Sequence, residues 1–84
     1  MSAKRMKVLF FAQSRQAAGC GDYLLQADRA LTQPEFWERL IRALPGLASQ
    51  QKTARLARRE TYLSHDELLQ PGDEIAVIPP VSGG

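Results

Sequence analysis

The 84-residue sequence predicts a single α+β domain in which one main helix covers one face of a sheet of four to five strands. Short apolar runs near the two ends of the chain have the composition of strands. Between them only one segment, residues 32–44, repeats its apolar residues at helical spacing. With 44% hydrophobic and 24% charged residues, the composition is that of an ordinary globular protein. A chain of this length buries about 60% of its unfolded surface, enough for one thin core.

The first run, MKVLFFA (residues 6–12), is rich in aromatic and branched residues and predicts a strand largely buried on both faces. Alternation places Val8 and Phe10 on one face, Leu9 and Phe11 on the other. After a connection through Gly19 and Gly21, DYLLQA (residues 22–27) predicts a second strand in a hairpin-like excursion, Tyr23 and Leu25 facing away from Leu24 and Gln26. The helix follows. Thr32 and Glu35 have the spacing of a capping box, Leu31 and Phe36 that of a hydrophobic staple, and Pro34 falls in the first turn, where no N–H is needed. Phe36, Trp37, Leu40, Ile41 and Leu44 form the apolar stripe, with Glu35–Arg39 and Glu38–Arg42 as i,i+4 pairs on the wet side. Pro45 and Gly46 end it. Residues 56–63 predict a bent or hairpin segment interrupted by Arg58, Arg59 and Glu60, and HDELL a short helical turn. QPGD is turn chemistry. EIAVIPP (residues 74–80) is the final strand, Ile75 and Val77 on one face, Ala76 and Ile78 on the other.

If the helix stripe meets Val8, Phe10, Ile75 and Val77, then Leu9, Phe11, Tyr62 and Ile78 lie on a face that nothing else in the sequence covers. Such a patch reads equally as a partner surface or as ordinary exposed apolar area.

Charge and motifs exclude more than they support. The net charge is +2, and Lys52, Arg55, Arg58 and Arg59 cluster, but acidic residues follow and no aromatic alternates with the arginines to stack bases. A solvated surface is the better reading than nucleic-acid binding. A single cysteine, Cys20, rules out an internal disulfide and a cysteine-based metal site, so no metal is expected. The apolar run after Lys4, Arg5 and Lys7 is too short for a signal segment or membrane span, which predicts a cytoplasmic protein without a membrane partner. Ser64, His65 and Asp66 are neighbours in sequence, not the spatial triad that nucleophilic catalysis needs. Phosphate-loop, dinucleotide and zincin motifs are missing.

The tail is the unusual feature. Pro79 and Pro80 offer no N–H to a neighbouring strand, so pairing ends and the chain leaves stiffly. Residues 81–84, a flexible tail after a domain of residues 1–80, reach at most about 14 Å. Gly83 and Gly84 lack a Cβ and fit a narrow channel. By itself such a tail reads equally as a frayed end.

Together, MKVLFFAQ at the start and PGDEIAVIPPVSGG at the end resemble the sulfur-carrier small subunits of molybdopterin synthases, a ubiquitin-like family. The resemblance implies a β-grasp fold with a mixed sheet. It also implies that Gly84 is adenylated by a ubiquitin-activating-type adenylyltransferase using ATP, and that a sulfurtransferase converts it to a thiocarboxylate. The synthase large subunit then receives the tail, and sulfur passes to cyclic pyranopterin monophosphate. No cofactor stays bound to such a carrier. Gly84 and Gly83 would be the reactive end. Phe11, Tyr62 and Ile78, with Arg15 at the rim and Pro79, Pro80, Val81 and Ser82 in the tail, would contact the large subunit. The sequence departs from the family at ARLARRETYL (residues 54–63), where Arg58 and Arg59 stand together. Three rivals follow: a carrier for thiazole or another thiolated metabolite, a ubiquitin-like protein modifier, and a basic binding module.

Overall fold

The computed structural model describes residues 4–79. Its elements are β1 (Arg5–Phe10), α1 (Ala12–Ala18), β2 (Asp22–Gln26), α2 (Gln33–Ala43), a 3-10 helix (Pro45–Gln50), β3 (Arg55–Arg58), β4 (Thr61–Tyr62) and β5 (Glu74–Ile78). They form one mixed five-stranded sheet in the order β2-β1-β5-β3-β4. β1 and β5 run parallel at its centre, and the other neighbours pair antiparallel.

The predicted α2 is present with its cap intact. The Glu35 N–H donates to Thr32 Oγ1 at 3.2 Å, and the Thr32 N–H donates to the Glu35 carboxylate at 2.9 Å. Leu31 and Phe36, the staple pair, are both fully buried. Phe36, Trp37 and Leu40 enter the core with Ile41 and Leu44 at its margin, and the rings of Phe36 and Trp37 meet edge-on at 5.9 Å. Of the two ion pairs expected along the helix, Glu38–Arg42 forms at 3.5 Å. Glu35 instead pairs with Arg29 at 2.8 Å, and Arg39 donates to the Gln26 carbonyl. The cap already directs Glu35 back toward the incoming chain, where Arg29 waits.

Met6, Val8, Phe10, Ile75, Val77, Leu25 and Leu56 point from the sheet into the same core, so the alternation in β1, β2 and β5 is as read from the sequence. Two expectations for β1 fail. It is buried on one face only, since Lys7 is exposed and Leu9 half-buried, and it ends at Phe10. The chain then enters a short helix that the sequence did not announce. AQSRQAA carries no apolar stripe and is too short to form alone. Tertiary contacts hold it: Ser14 is fully buried with its hydroxyl donating to Gln50 Oε1 at 3.1 Å, Ala17 and Ala18 pack on the core, and Gly46 lets the 3-10 helix approach the Ala17 carbonyl so closely that a Cβ would collide.

The uncertain middle is a hairpin. Arg58 turns toward the core-side edge and binds Asp73 at 2.8 Å, which also accepts from the Gln70 N–H, so the first of the paired arginines is a structural tie between β3 and the turn before β5. Residues 64–67 form a turn and not a helix, held to α2 by the Gln33 side chain donating to the Ser64 carbonyl at 2.6 Å.

Candidate functional site

The helix-free face of the sheet carries the predicted apolar patch, and the register explains its shape. One row across the strands reads Leu9, Ala76, Ala57, Tyr62. In the next, Ile78 lies opposite Arg55, and Phe11 follows Phe10, whose partner is Val77. Leu9, Phe11, Ala57, Ala76 and Ile78 line one groove of about 310 Å³, whose polar rim is Arg59, Glu60 and Glu74. Phe11 and Tyr62 are 49% and 48% exposed. The Arg55 guanidinium lies 4.1 Å from the Tyr62 ring centre, a cation–π contact that fixes both side chains at the groove's edge. Because β1 and β5 are parallel, the end of β5 at Ile78 and Pro79 lies beside Phe11. The patch and the end of β5 therefore share one corner of the molecule.

Local rules are broken around this corner. Phe11 is the N-cap of α1, in extended conformation, yet no side-chain hydrogen bond caps the helix; only its carbonyl accepts, from the Ser14 N–H at 3.0 Å. Ser, Asp or Asn would cap better. Ala12 follows at φ 50°, and the β3–β4 turn is made by Arg59 at φ 53° and Glu60 at φ 64°. Each non-glycine residue in that left-handed region costs about 1–2 kcal/mol. Arg59 and Glu60, in strained conformation, and Phe11, an exposed aromatic ring in place of a cap, all line the one apolar groove, while Ala12 lines the recess beside it.

The structure brings Phe11, Tyr62, Ile78 and Pro79 to this corner. Arg15 sits on α1 with its guanidinium beside Gly21, lining a separate recess with Gln16 and Cys20. Pro80, Val81, Ser82, Gly83 and Gly84 lie outside the described residues. Sequence reasoning missed Ala57, Arg59, Glu60 and Glu74 as parts of the groove, and Arg55 as the partner of the Tyr62 ring beside it, because their place depends on strand register. Arg55 and Arg59 border the patch, and Arg58 does not, so the arginine cluster is divided between two roles.

The patch itself is chemically inert. His65 and Asp66 are exposed in their turn, and the one strongly displaced carboxyl among the described residues is remote: the Arg29 guanidinium, followed by the Thr32 N–H, lowers Glu35 to about 2. Among the described residues no three His, Cys, Asp or Glu side chains gather as metal ligands, and no helix is long and apolar enough to cross a membrane.

An exposed apolar groove with no reactive group of its own directs attention to the residues that follow β5. The model of the ThiS family matches residues 8–84, which takes in the second half of β1, the patch, β5 and those residues. The chain belongs to the ThiS family. This ThiS-family chain is 37% identical over 82 residues to the molybdopterin synthase sulfur carrier subunit of Chlamydomonas reinhardtii, covering 95% of this chain and 99% of the relative. Its fold matches the crystal structure of SAMP1 from Haloferax volcanii with a TM-score of 0.77 at 26% identity, covering 95% and 99% of the two chains. It also matches, with a TM-score of 0.66 at 21% identity and coverage of 95% and 99%, a chain in the complex of subunits 1 and 2 of the molybdopterin-converting factor from Helicobacter pylori. These likenesses make the ThiS-family fold here a ubiquitin-like β-grasp.

Proposed function

We propose that this protein is the sulfur carrier of molybdenum cofactor biosynthesis, the small subunit of a molybdopterin synthase. The observation that carries the reading is the shared corner: the apolar groove lies where β5 releases the chain toward Gly83 and Gly84, in a protein 37% identical to such a carrier over nearly its whole length. A docking face beside a tail lets one binding event hold the fold and aim the terminus, which lowers the entropic cost of positioning the reacting atoms.

The chemistry follows from what the tail lacks. A glycine carboxylate is a weak electrophile. Attack of its oxygen on the α-phosphate of ATP, catalysed by an adenylyltransferase, releases pyrophosphate and gives an acyl-adenylate. Sulfide-level sulfur (HS−) delivered by a sulfurtransferase attacks the acyl carbon, the C–O bond to AMP breaks, and a thiocarboxylate remains at Gly84, a soft anionic nucleophile made without any cysteine of this chain. The large subunit receives the tail, supplies the acid–base groups and brings cyclic pyranopterin monophosphate to the sulfur. Gly83, without a Cβ, clears the channel. Phe11, Tyr62 and Ile78 anchor the partner at the centre, and Arg55 and Arg59 border them, the arrangement of a hot-spot cluster with a polar rim.

The intact mass of the protein isolated from its host tests this: replacement of one oxygen by sulfur on the fragment containing Gly84 is expected. A second reading, a ubiquitin-like protein modifier, is supported by the likeness to SAMP1, a small archaeal modifier protein. Incubation with cell extract and ATP separates them, because a modifier yields isopeptide-linked adducts without terminal sulfur.

A further inference from the structure

β2 is an outer strand of the sheet. The Phe10 N–H donates to the Gly21 carbonyl at 3.0 Å, and the Ala27 N–H donates to the Lys4 carbonyl at 2.8 Å. Bonded and non-bonded pairs alternate along an antiparallel ladder. Gly21, Tyr23, Leu25 and Ala27 therefore turn their N–H and C=O groups toward β1, and Asp22, Leu24 and Gln26 turn theirs outward. Arg39 reaches the outward carbonyl of Gln26 at 3.2 Å, as this direction requires. Edge strands are usually blunted by Pro, charged side chains, a bulge, short length or a covering element. β2 has no Pro, Lys or bulge; its one charged residue, Asp22, stands at its start, and Arg39 covers only the Gln26 carbonyl, which leaves the edge at Leu24 open. Its five residues carry Tyr23, Leu24 and Leu25 in succession, and Leu24 is 49% exposed.

On the helix side of this edge, a cleft of about 400 Å³ runs between β2 and α2. Tyr23, Leu25 and Ala43 form its apolar lining, and Arg39 and Arg42 its charged wall. Arg42 has only a long contact with Glu38, both side chains being more than 70% exposed, so its charge is largely uncommitted.

We propose that the β2 edge and the β2–α2 cleft are a second docking site, which takes an extended acidic peptide segment of a partner protein as an added strand. The outward groups of Leu24 and its neighbours provide main-chain hydrogen bonds. Alternate apolar residues of the peptide fill the cleft over Tyr23 and Leu25, their neighbours cover Leu24, and flanking carboxylates meet Arg39 and Arg42. Charge selects this occupant over a second copy of the chain. Antiparallel pairing of two β2 edges would set the Arg39 and Arg42 walls of both molecules against each other, a like-charge arrangement that costs affinity. The cleft opens on the helix-covered side, so it is accessible while the opposite face is docked.

Titration of the isotope-labelled full chain, followed by amide shifts and hydrogen exchange, tests the proposal with a synthetic peptide whose central run of Val residues is flanked at both ends by Glu. Its Lys counterpart and a version with a central Pro serve as comparisons. The acidic peptide is expected to shift the Asp22, Leu24 and Gln26 amides and protect Leu24 from exchange. Both comparison peptides should bind at least about tenfold more weakly. Combining Arg39→Glu with Arg42→Glu should reverse the preference between the Glu and Lys peptides; both sites are on the surface, and the spectrum itself reports that the fold persists. No shift with the acidic peptide at millimolar concentration, equal binding of the Lys peptide, shifts centred on Leu9, Phe11 and Ile78, or Leu24 protection that grows with protein concentration in the absence of peptide would each overturn it. The readout involves neither sulfur nor a large subunit, so its failure is distinct from failure of the sulfur-carrier reading.

Discussion

Replacing Phe11 with Asp should separate docking from folding, because its two consequences act on different sides of the residue. Phe11 is 49% exposed, so of the roughly 200 Å² an aromatic side chain can bury, about 100 Å² remains for a partner. At about 25 cal/mol per Å² this area is worth about 2.5 kcal/mol, or roughly 70-fold in Kd. A carboxylate enclosed in the same apolar groove would add several kcal/mol to that loss. Folding responds differently. The half-buried ring contributes about 2 kcal/mol to packing, but the residue is the uncapped N-terminus of α1 in the conformation an N-cap needs, where Asp contributes about 1 kcal/mol. The net cost to the free domain is therefore about 1 kcal/mol. Calorimetric titration with the large subunit of a molybdopterin synthase, alongside the urea midpoint of each free domain, measures both. A midpoint loss equivalent to the whole drop in binding energy would refute the assignment and make Phe11 a core residue.

Removal of Gly84 should abolish thiocarboxylate formation and sulfur transfer while leaving the urea midpoint unchanged; retained transfer would contradict the mechanism. Gly46→Ala drives a Cβ into the Ala17 carbonyl oxygen and should cost about 2 kcal/mol, seen as a lower urea midpoint with an unaltered slope. Glu60→Gly relieves a left-handed backbone at φ 64° and should raise stability by about 1 kcal/mol in the same assay. Glu35, held at about 2 by Arg29 and the Thr32 N–H against its ordinary 4.5, contributes stability that is fully present above pH 4.5 and lost as the pH falls through about 2. Far-UV circular dichroism across that window should show wild type losing helix stability on acidification, and Glu35→Gln, already lacking the contribution, should change less.

The elements visible in the sequence are those whose cause is local. Thr32 and Glu35 bond each other across one helical turn, so the start of α2 needs no distant partner. Val8, Phe10, Ile75 and Val77 alternate with more exposed neighbours because the pleat of a strand has period two. The same alternation made Leu9, Phe11, Tyr62 and Ile78 legible as one face, with only the order of the strands unknown. The diproline and diglycine, through a missing N–H and a missing Cβ, made the C-terminal residues unusual, and the resemblance to a known family was what pointed to chemistry there.

Tertiary structure decided what depends on residues far apart in the chain. AQSRQAA becomes α1 because Ser14 meets Gln50 and Gly46 admits Ala17, contacts without any local periodicity. Glu35 chose Arg29 over Arg39 once both were held in space. Arg58 and Arg59, adjacent and alike in sequence, diverged when the turn sent one to Asp73 and the other to the groove's rim. Parallel pairing of β1 with β5 brought Phe11 beside Ile78 and so put the apolar groove at the end of β5. Loop closure and strand order are set by the summed burial of the whole core, a quantity to which every element contributes and which no single segment encodes.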